Sequence, residues 1–268
     1  MILDDLVAAT RRRIDREKEE LSPGELHERV LAAHEAGDGA ETPGPSFIEA
    51  LRHGHRPGLS FICEVKKASP SKGIIAPDFP YVSIAREYEA AGADAISVLT
   101  EPDYFKGELS YIGDIRGAGV TTPILRKDFT IDPYMIDQAY MAGASAILLI
   151  CAILTDEELG AYLAHARSLG LDALVETHDE EEVKRALSSG ARIIGVNNRD
   201  LKDFTVDIGR CTALRDLVPA EHVFVAESGI RDVRDTSRLL DAGVDAVLIG
   251  ETLMRAEDKG AALNALRP

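Results

Sequence analysis

From Leu59 onward the chain alternates between two patterns. An amphipathic stretch of helical period closes on a glycine, and a short apolar run without polar alternation follows. The segments EYEAAGADAISVLTE, AYMAGASAILLICA, LSSGARIIGVNN and LLDAGVDAVLIGE show it most clearly, and RGAGVTTPILRKDF, HARSLGLDALVETH and DLVPAEHVFVAESG are weaker copies. A glycine just past a helix end supplies the left-handed cap, and a continuously apolar run is a strand covered on both faces. With LSFICEVKK as the first, the pattern predicts about eight strands alternating with helices in units of roughly 20–30 residues, an α/β fold of the (β/α)8 TIM-barrel type. A doubly wound open sheet is the rival. It would carry a G-x-G-x-x-G turn between its first strand and first helix, and none is present.

The N-terminal segment departs from this alternation. Residues 1–20 read as a helix with Ile2, Leu3, Leu6, Val7 and Ile14 on one face. Ser22-Pro23-Gly24-Glu25 starts a second helix, LHERVLAAHEA. A loop rich in Gly and Pro runs from Gly37 to Pro45, and Ser46 opens a third helix, FIEALRHG. The expected organisation is a helical extension, residues 1–58, packed on a barrel of residues 59–268, one domain in all.

Composition narrows the function. A net charge of −16 argues against a nucleic-acid partner, since a phosphate backbone demands a basic face. An anionic small molecule remains compatible, because a site can focus positive charge inside an acidic protein. No stretch approaches the roughly 18–20 uncharged residues of a membrane span, and the charged start lacks a secretory signal's apolar core and cleavage site. Cys63, Cys151 and Cys211 form no CxxC pair and read as reduced structural thiols. A cytoplasmic protein is the expectation, a monomer with no membrane partner.

Active residues in such barrels sit at the C-terminal ends of the strands and in the loops after them. Strand one ends in Glu64 and Lys66, which share a face by the two-residue period. If that face is the barrel interior, an ion pair stands where charge is costly unless paired or used. Strand three ends in Lys127-Asp128-Phe129, strand five in Glu176-Thr177-His178, strand six in Asn197-Asn198-Arg199-Asp200 and strand seven in Glu227-Ser228-Gly229. Each residue has a plain structural reading: Lys127 as a snorkelling lysine, Glu176 as a helix cap (although Thr177 and Asp179 are better placed), Asn197 as a turn residue, Tyr104 and Phe105 as loop anchors, His178 as loop surface. The convergence of two lysines, two glutamates and an asparagine on one rim favours chemistry. Ser228-Gly229 and Gly250-Glu251, after strands seven and eight, suit a phosphate held by backbone N–H groups, provided the Glu251 carboxylate points away. The rim shows no His/Cys cluster at ligand spacing, so neither metal nor other cofactor is implied.

The run ICEVKKASPS, followed in order by LRKDF, LVETH, GVNNRDL, VAESGI and LIGETLM, resembles the indole-3-glycerol-phosphate synthase family of tryptophan biosynthesis across essentially the whole chain. The resemblance implies a (β/α)8 lyase with helices partly covering the barrel mouth. Its substrate would be 1-(2-carboxyphenylamino)-1-deoxyribulose 5-phosphate. It implies that Lys127 is the general acid of ring closure, and that Glu64, Lys66, Glu176, Asn197 and Ser228 hold the other catalytic and substrate-contact positions. Ser69 matches a substrate-contact serine, Phe105 and Phe129 match aromatics near the anthranilate ring, and Arg199 is grouped with the substrate contacts. Glu251 departs from relatives that carry serine there. For the chemistry, burial among apolar walls is expected to lower the Lys127 pKa towards the working range, with Glu176 as base. The acid of dehydration is open between Glu64 and Lys66. With no second barrel in this chain, a single activity is expected. A phosphoribosylanthranilate isomerase-like enzyme and a non-catalytic phosphometabolite sensor are the alternatives.

Overall fold

The structure, a computed structural model, describes residues 2–36, 45–54, 58–200 and 205–268. The side chain of Ile2 and the body of the Gly37–Pro45 loop, 37–44, lie outside the described residues. Eight parallel strands close into a barrel. They are β1 (Ser60–Val65), β2 (Ala95–Leu99), β3 (Ile124–Lys127), β4 (Ala146–Ile150), β5 (Asp172–Thr177), β6 (Ile193–Asn197), β7 (Val223–Glu227) and β8 (Ala246–Ile249). Each pairs with its sequence neighbour, and β1 joins β8 through Ser60 opposite Ala246. Three helices precede the barrel: α1 (Ile2–Glu20), α2 (Pro23–Ala36) and α3 (Phe47–His53). Between the strands run α4 (Tyr81–Ala90), α5 (Ser110–Gly117), α6 (Pro133–Met141), α7 (Asp156–Ser168), α8 (Glu180–Ser188), α9 (Gly209–Leu214) and α10 (Val233–Asp241), and α11 (Glu251–Arg255) and α12 (Lys259–Ala265) follow the last strand. Glycines closing the repeats take the left-handed cap: Gly143 has φ 83° and Gly190 φ 85°. No helix among the described residues is long and apolar enough to cross a membrane.

The two-residue period divides every strand between two cores. Phe61, Cys63 and Val65 of β1 face outward onto the helices, in the larger apolar cluster. Ile62, Leu125, Leu148, Leu174, Ile193, Val225 and Leu248 fill the barrel interior. Further along five of these strands, the same inward register delivers Glu64, Lys127, Glu176, Asn197 and Glu227 to the layer above that apolar plug.

The N-terminal helices grip the barrel at both ends. Helix α3 closes the bottom: Phe47, Ile48 and Leu51 join the interior cluster, and Asp172 at the start of β5 accepts the Ile48 N–H at 2.9 Å. Helix α1 reaches the opposite rim, where both Asp128 oxygens accept from Arg13 at 2.9 Å. Arg126 and the Thr100 hydroxyl also donate to Asp128, at 3.2 and 2.6 Å. All these groups are buried, so the network fixes the end of β3 from outside while Lys127 projects inward.

Candidate active site

Every residue nominated from the sequence as catalytic, substrate-contacting or phosphate-holding lines one cavity of about 720 Å³ at the C-terminal end of the barrel. Leu3 and Leu6 of α1 form part of its wall. At the centre stands the Lys127 ammonium, 2.6 Å from Glu227 Oε2 and 3.1 Å from Glu176 Oε2. Asn197 donates from Nδ2 to Glu176 Oε1 at 3.1 Å and accepts the Arg199 N–H on Oδ1 at 3.0 Å. It therefore aims the carboxylate and holds the following turn together. Beside this group Lys66 is ion-paired with Glu64. Phe105 and Phe129 face each other across the mouth, ring centroids 6.2 Å apart. Glu101 orders the loop that carries Phe105 by accepting the N–H groups of Asp103, Tyr104 and Phe105 at 2.8–3.0 Å. Tyr104 is half-buried and lies off the cavity wall.

The electrostatics differ from the expectation for Lys127. Burial alone would lower its pKa, but Glu227, Glu176 and Glu64 outweigh that and hold it well above the ordinary lysine range. A desolvated cation lowers its pKa only without counter-charge, and here the carboxylates supply it. Glu176 resists burial in the same way, its pKa held below the usual carboxylate range by Lys127, His178 and the Asn197 hydrogen bond. Glu227 goes the other way: burial, reinforced by the charge of Glu176, pushes it up to about 7 despite Lys127. Its Oε1 has no hydrogen-bond partner among the described residues. The central group thus combines a held proton, a ready acceptor and a carboxyl able to titrate near neutrality.

Two residues belong to the site's machinery that sequence reasoning passed over. Glu227 reads from sequence as no more than a strand end, yet it shares its face with Val225 two residues earlier, the parity that singles out Glu64 and Lys66. His178 is not loop surface. Its side chain is 15% exposed, its Nδ1 sits 3.1 Å from Glu182 and its Nε2 3.5 Å from Glu176 Oε1, off the cavity and behind that carboxylate. Among the proposed caps, Asp179 accepts the Glu182 N–H to start α8, whereas the Thr177 hydroxyl donates across to Gly195 O.

At the other side of the cavity Ser228 and Gly229 both adopt positive φ, 67° and 85°. The first is uncommon for a residue with a Cβ, and Asn198 steadies it by donating to Ser228 O at 3.2 Å. Gly250 has φ −114° and needs no glycine for its backbone. A Cβ there would collide with the Glu64 carboxylate and lie 2.7 Å from the Lys66 ammonium. The glycine makes room for the ion pair. Gly250→Ala is accordingly expected to displace Lys66 and to lower kcat/KM by at least tenfold at little cost in thermal stability; wild-type kinetics would show the pair free to step aside. The Glu251 carboxylate is turned onto Arg255 at 3.1 Å and Lys72 at 3.7 Å.

The fold and this rim define a (β/α)8-barrel enzyme whose mouth holds lysines against buried carboxylates beside a turn of small residues. The chain belongs to the indole-3-glycerol phosphate synthase family: the family model of that description matches residues 3–266. It is 51% identical to the indole-3-glycerol phosphate synthase of Ruminiclostridium cellulolyticum over 267 residues, 100% of this chain and 99% of the relative. It is 52% identical to that of Lacticaseibacillus paracasei, covering 97% and 96%. Among solved structures, thiamine phosphate pyrophosphorylase from Pyrococcus furiosus shares the fold with a TM-score of 0.57 at 20% identity, over 78% of this chain and 93% of that one.

Proposed function

We propose that this chain converts 1-(2-carboxyphenylamino)-1-deoxyribulose 5-phosphate into indole-3-glycerol phosphate with loss of carbon dioxide and water. The observation that carries the reading is the Lys127 ammonium, held between Glu176 and Glu227 on the wall of a cavity that also presents Lys66, two phenylalanines and the Ser228-Gly229 turn. Lys66 holds the anthranilate carboxylate while Phe105 and Phe129 flank the ring. The aryl carbon bearing that carboxylate bonds to the ketone carbon, and Lys127 protonates the ketone oxygen as it becomes an alkoxide. The bond to the carboxylate then breaks, carbon dioxide leaves, and its electron pair restores the aromatic ring. In the last step the new hydroxyl leaves as water after protonation from the Glu64–Lys66 pair, and Glu176 takes the proton from the neighbouring methylene carbon, giving the indole double bond. Arg199 and Ser69 contact the substrate, and Ser228, Gly229, Gly250 and the Glu251 N–H seat the phosphate. Of the N-terminal extension, α1 shapes the mouth through Leu3 and Leu6. One chain supplies the whole site, so a monomer acting in the cytosol suffices.

The test is a fluorescence assay of the purified chain with the carboxyphenylamino substrate. An indole signal is the expected outcome. Silence from a folded protein that still binds the substrate would instead favour a sensor. In the same assay Ser228→Ala is expected to raise KM several-fold with kcat within about twofold, since phosphate binding is felt equally in ground and transition states; an unchanged KM counts against the seat.

A further inference from the structure

Away from the barrel mouth, three side chains from three helices converge on the outer surface. His27 of α2 places Nδ1 3.1 Å from Asp137 Oδ2 of α6, and His165 of α7 places Nε2 2.7 Å from Asp137 Oδ1. One ligand atom from each lies within 4.8 Å of the others. We propose that His27, Asp137 and His165 bind a divalent transition-metal ion of the zinc type, which staples α2 of the N-terminal segment to α6 and α7 of the barrel.

Two imidazole nitrogens and one carboxylate oxygen are a zinc-type donor set, and solvent can complete a fourfold site. Metal–ligand bonds of about 2.0–2.1 Å put neighbouring tetrahedral ligands about 3.3 Å apart. The two histidine–carboxylate contacts, 3.1 and 2.7 Å, run to different Asp137 oxygens, so metal entry replaces both hydrogen bonds and brings the two imidazoles onto one ion. The remaining closure falls to His27, whose side chain is 45% exposed, while that of Asp137 is 8% exposed and set in the wall. Exposure of His27 also gives the ion its way in. Beneath the cluster Leu26 packs with Tyr134 and Met135, so α2 and α6 are already seated against each other and the ligands are largely pre-placed. The separations of 110 and 28 residues hide the cluster from any reading by motif spacing. It lies apart from the catalytic rim, so the proposal stands whether or not the assigned reaction is correct.

The experiment uses the full chain without an affinity tag, stripped with chelator and dialysed. Zinc uptake is measured by calorimetric titration, and cobalt is added separately to read its visible ligand-field bands. The expected result is one zinc per chain, four-coordinate cobalt absorption, and a thermal midpoint raised by about 5–10 °C at zinc near a hundred times its dissociation constant. His27→Ala and His165→Ala should each weaken uptake by at least tenfold and abolish the shift. His34→Ala, which removes a histidine on the same helix hydrogen-bonded to Tyr140 instead, should leave both intact. Uptake well below one ion per chain, or uptake equal in wild type and both cluster variants, overturns the proposal and leaves a hydrogen-bonded Asp–His pair of contacts.

Discussion

Lys127→Met is expected to lower kcat by roughly 10²–10⁴-fold, the usual scale for a lost general acid, and to make the folded protein sensitive to alkali. The first effect follows from position: Lys127 is the cation at the centre of the carboxylates, while Lys66 in the same cavity is engaged by Glu64. Its raised pKa does not disqualify it. An alkoxide is a far stronger base than an amine, so the proton moves downhill once ring closure begins. The second effect follows from what the substitution leaves behind. Glu176 and Glu227 are both buried and would face each other without the ammonium. Keeping both ionised costs about 3–5 kcal/mol, so they take up protons and their folded pKa values rise above the unfolded value of about 4.3. A carboxyl raised on folding contributes stability that is present at low pH and lost as pH climbs through the folded pKa. Glu227 already stands at about 7 with Lys127 in place, and loss of the ammonium moves it higher. The thermal midpoint of the variant should therefore fall progressively further behind wild type as pH climbs from about 4.3, where Glu176 begins to cost the variant stability that it lends wild type. The deficit keeps growing through about 7, above which only the variant still loses stability through Glu227. Thermal melts across that range, with turnover at each pH, check both parts. Turnover at the wild-type rate refutes the assigned role, and a midpoint deficit independent of pH refutes the electrostatic account.

The barrel was legible because each repeat carries its own punctuation. A glycine such as Gly143 or Gly190 ends a helix locally, and a strand buried on both faces leaves an unbroken apolar run. The inward residues of the rim were legible for a related reason: parity along a short strand is a local property. Glu64 and Lys66 follow from it, Lys127 and Glu176 come from their place at strand ends, and Glu227 follows from the same two-residue count taken from Val225. What sequence could not give is the electrostatic outcome. Whether a buried lysine is pushed up or down depends on which carboxylates reach it across the barrel, and Glu227 is 100 residues from Lys127. The Gly250 contact with Glu64 and Lys66 is equally non-local, as are the Arg13–Asp128 clamp and the cluster around Asp137. His178 was misread because a polar residue just past a strand is usually solvated; here α8 folds Glu182 over it.

The held proton on Lys127 and the base Glu176 are not independent. While Lys127 is charged it keeps Glu176 a weak base. In the proposed sequence, once Lys127 gives its proton to the ketone oxygen that hold is released, and the proton affinity of Glu176 rises at the step that needs it. Glu176→Gln is then expected to cost roughly 10²–10⁴-fold in indole formation while sparing the earlier chemistry. Glutamine retains an oxygen to accept from Asn197, so the side chain stays aimed; it cannot take a proton, and Lys127 keeps Glu227 as its counter-charge. In a single-turnover experiment this variant should release carbon dioxide in near-stoichiometric amount, with indole fluorescence lagging far behind. Lys127→Met should suppress both signals together. If Glu176→Gln slows carbon dioxide and indole in equal proportion, Glu176 acts in ring closure and the order of proton transfers assigned above is wrong.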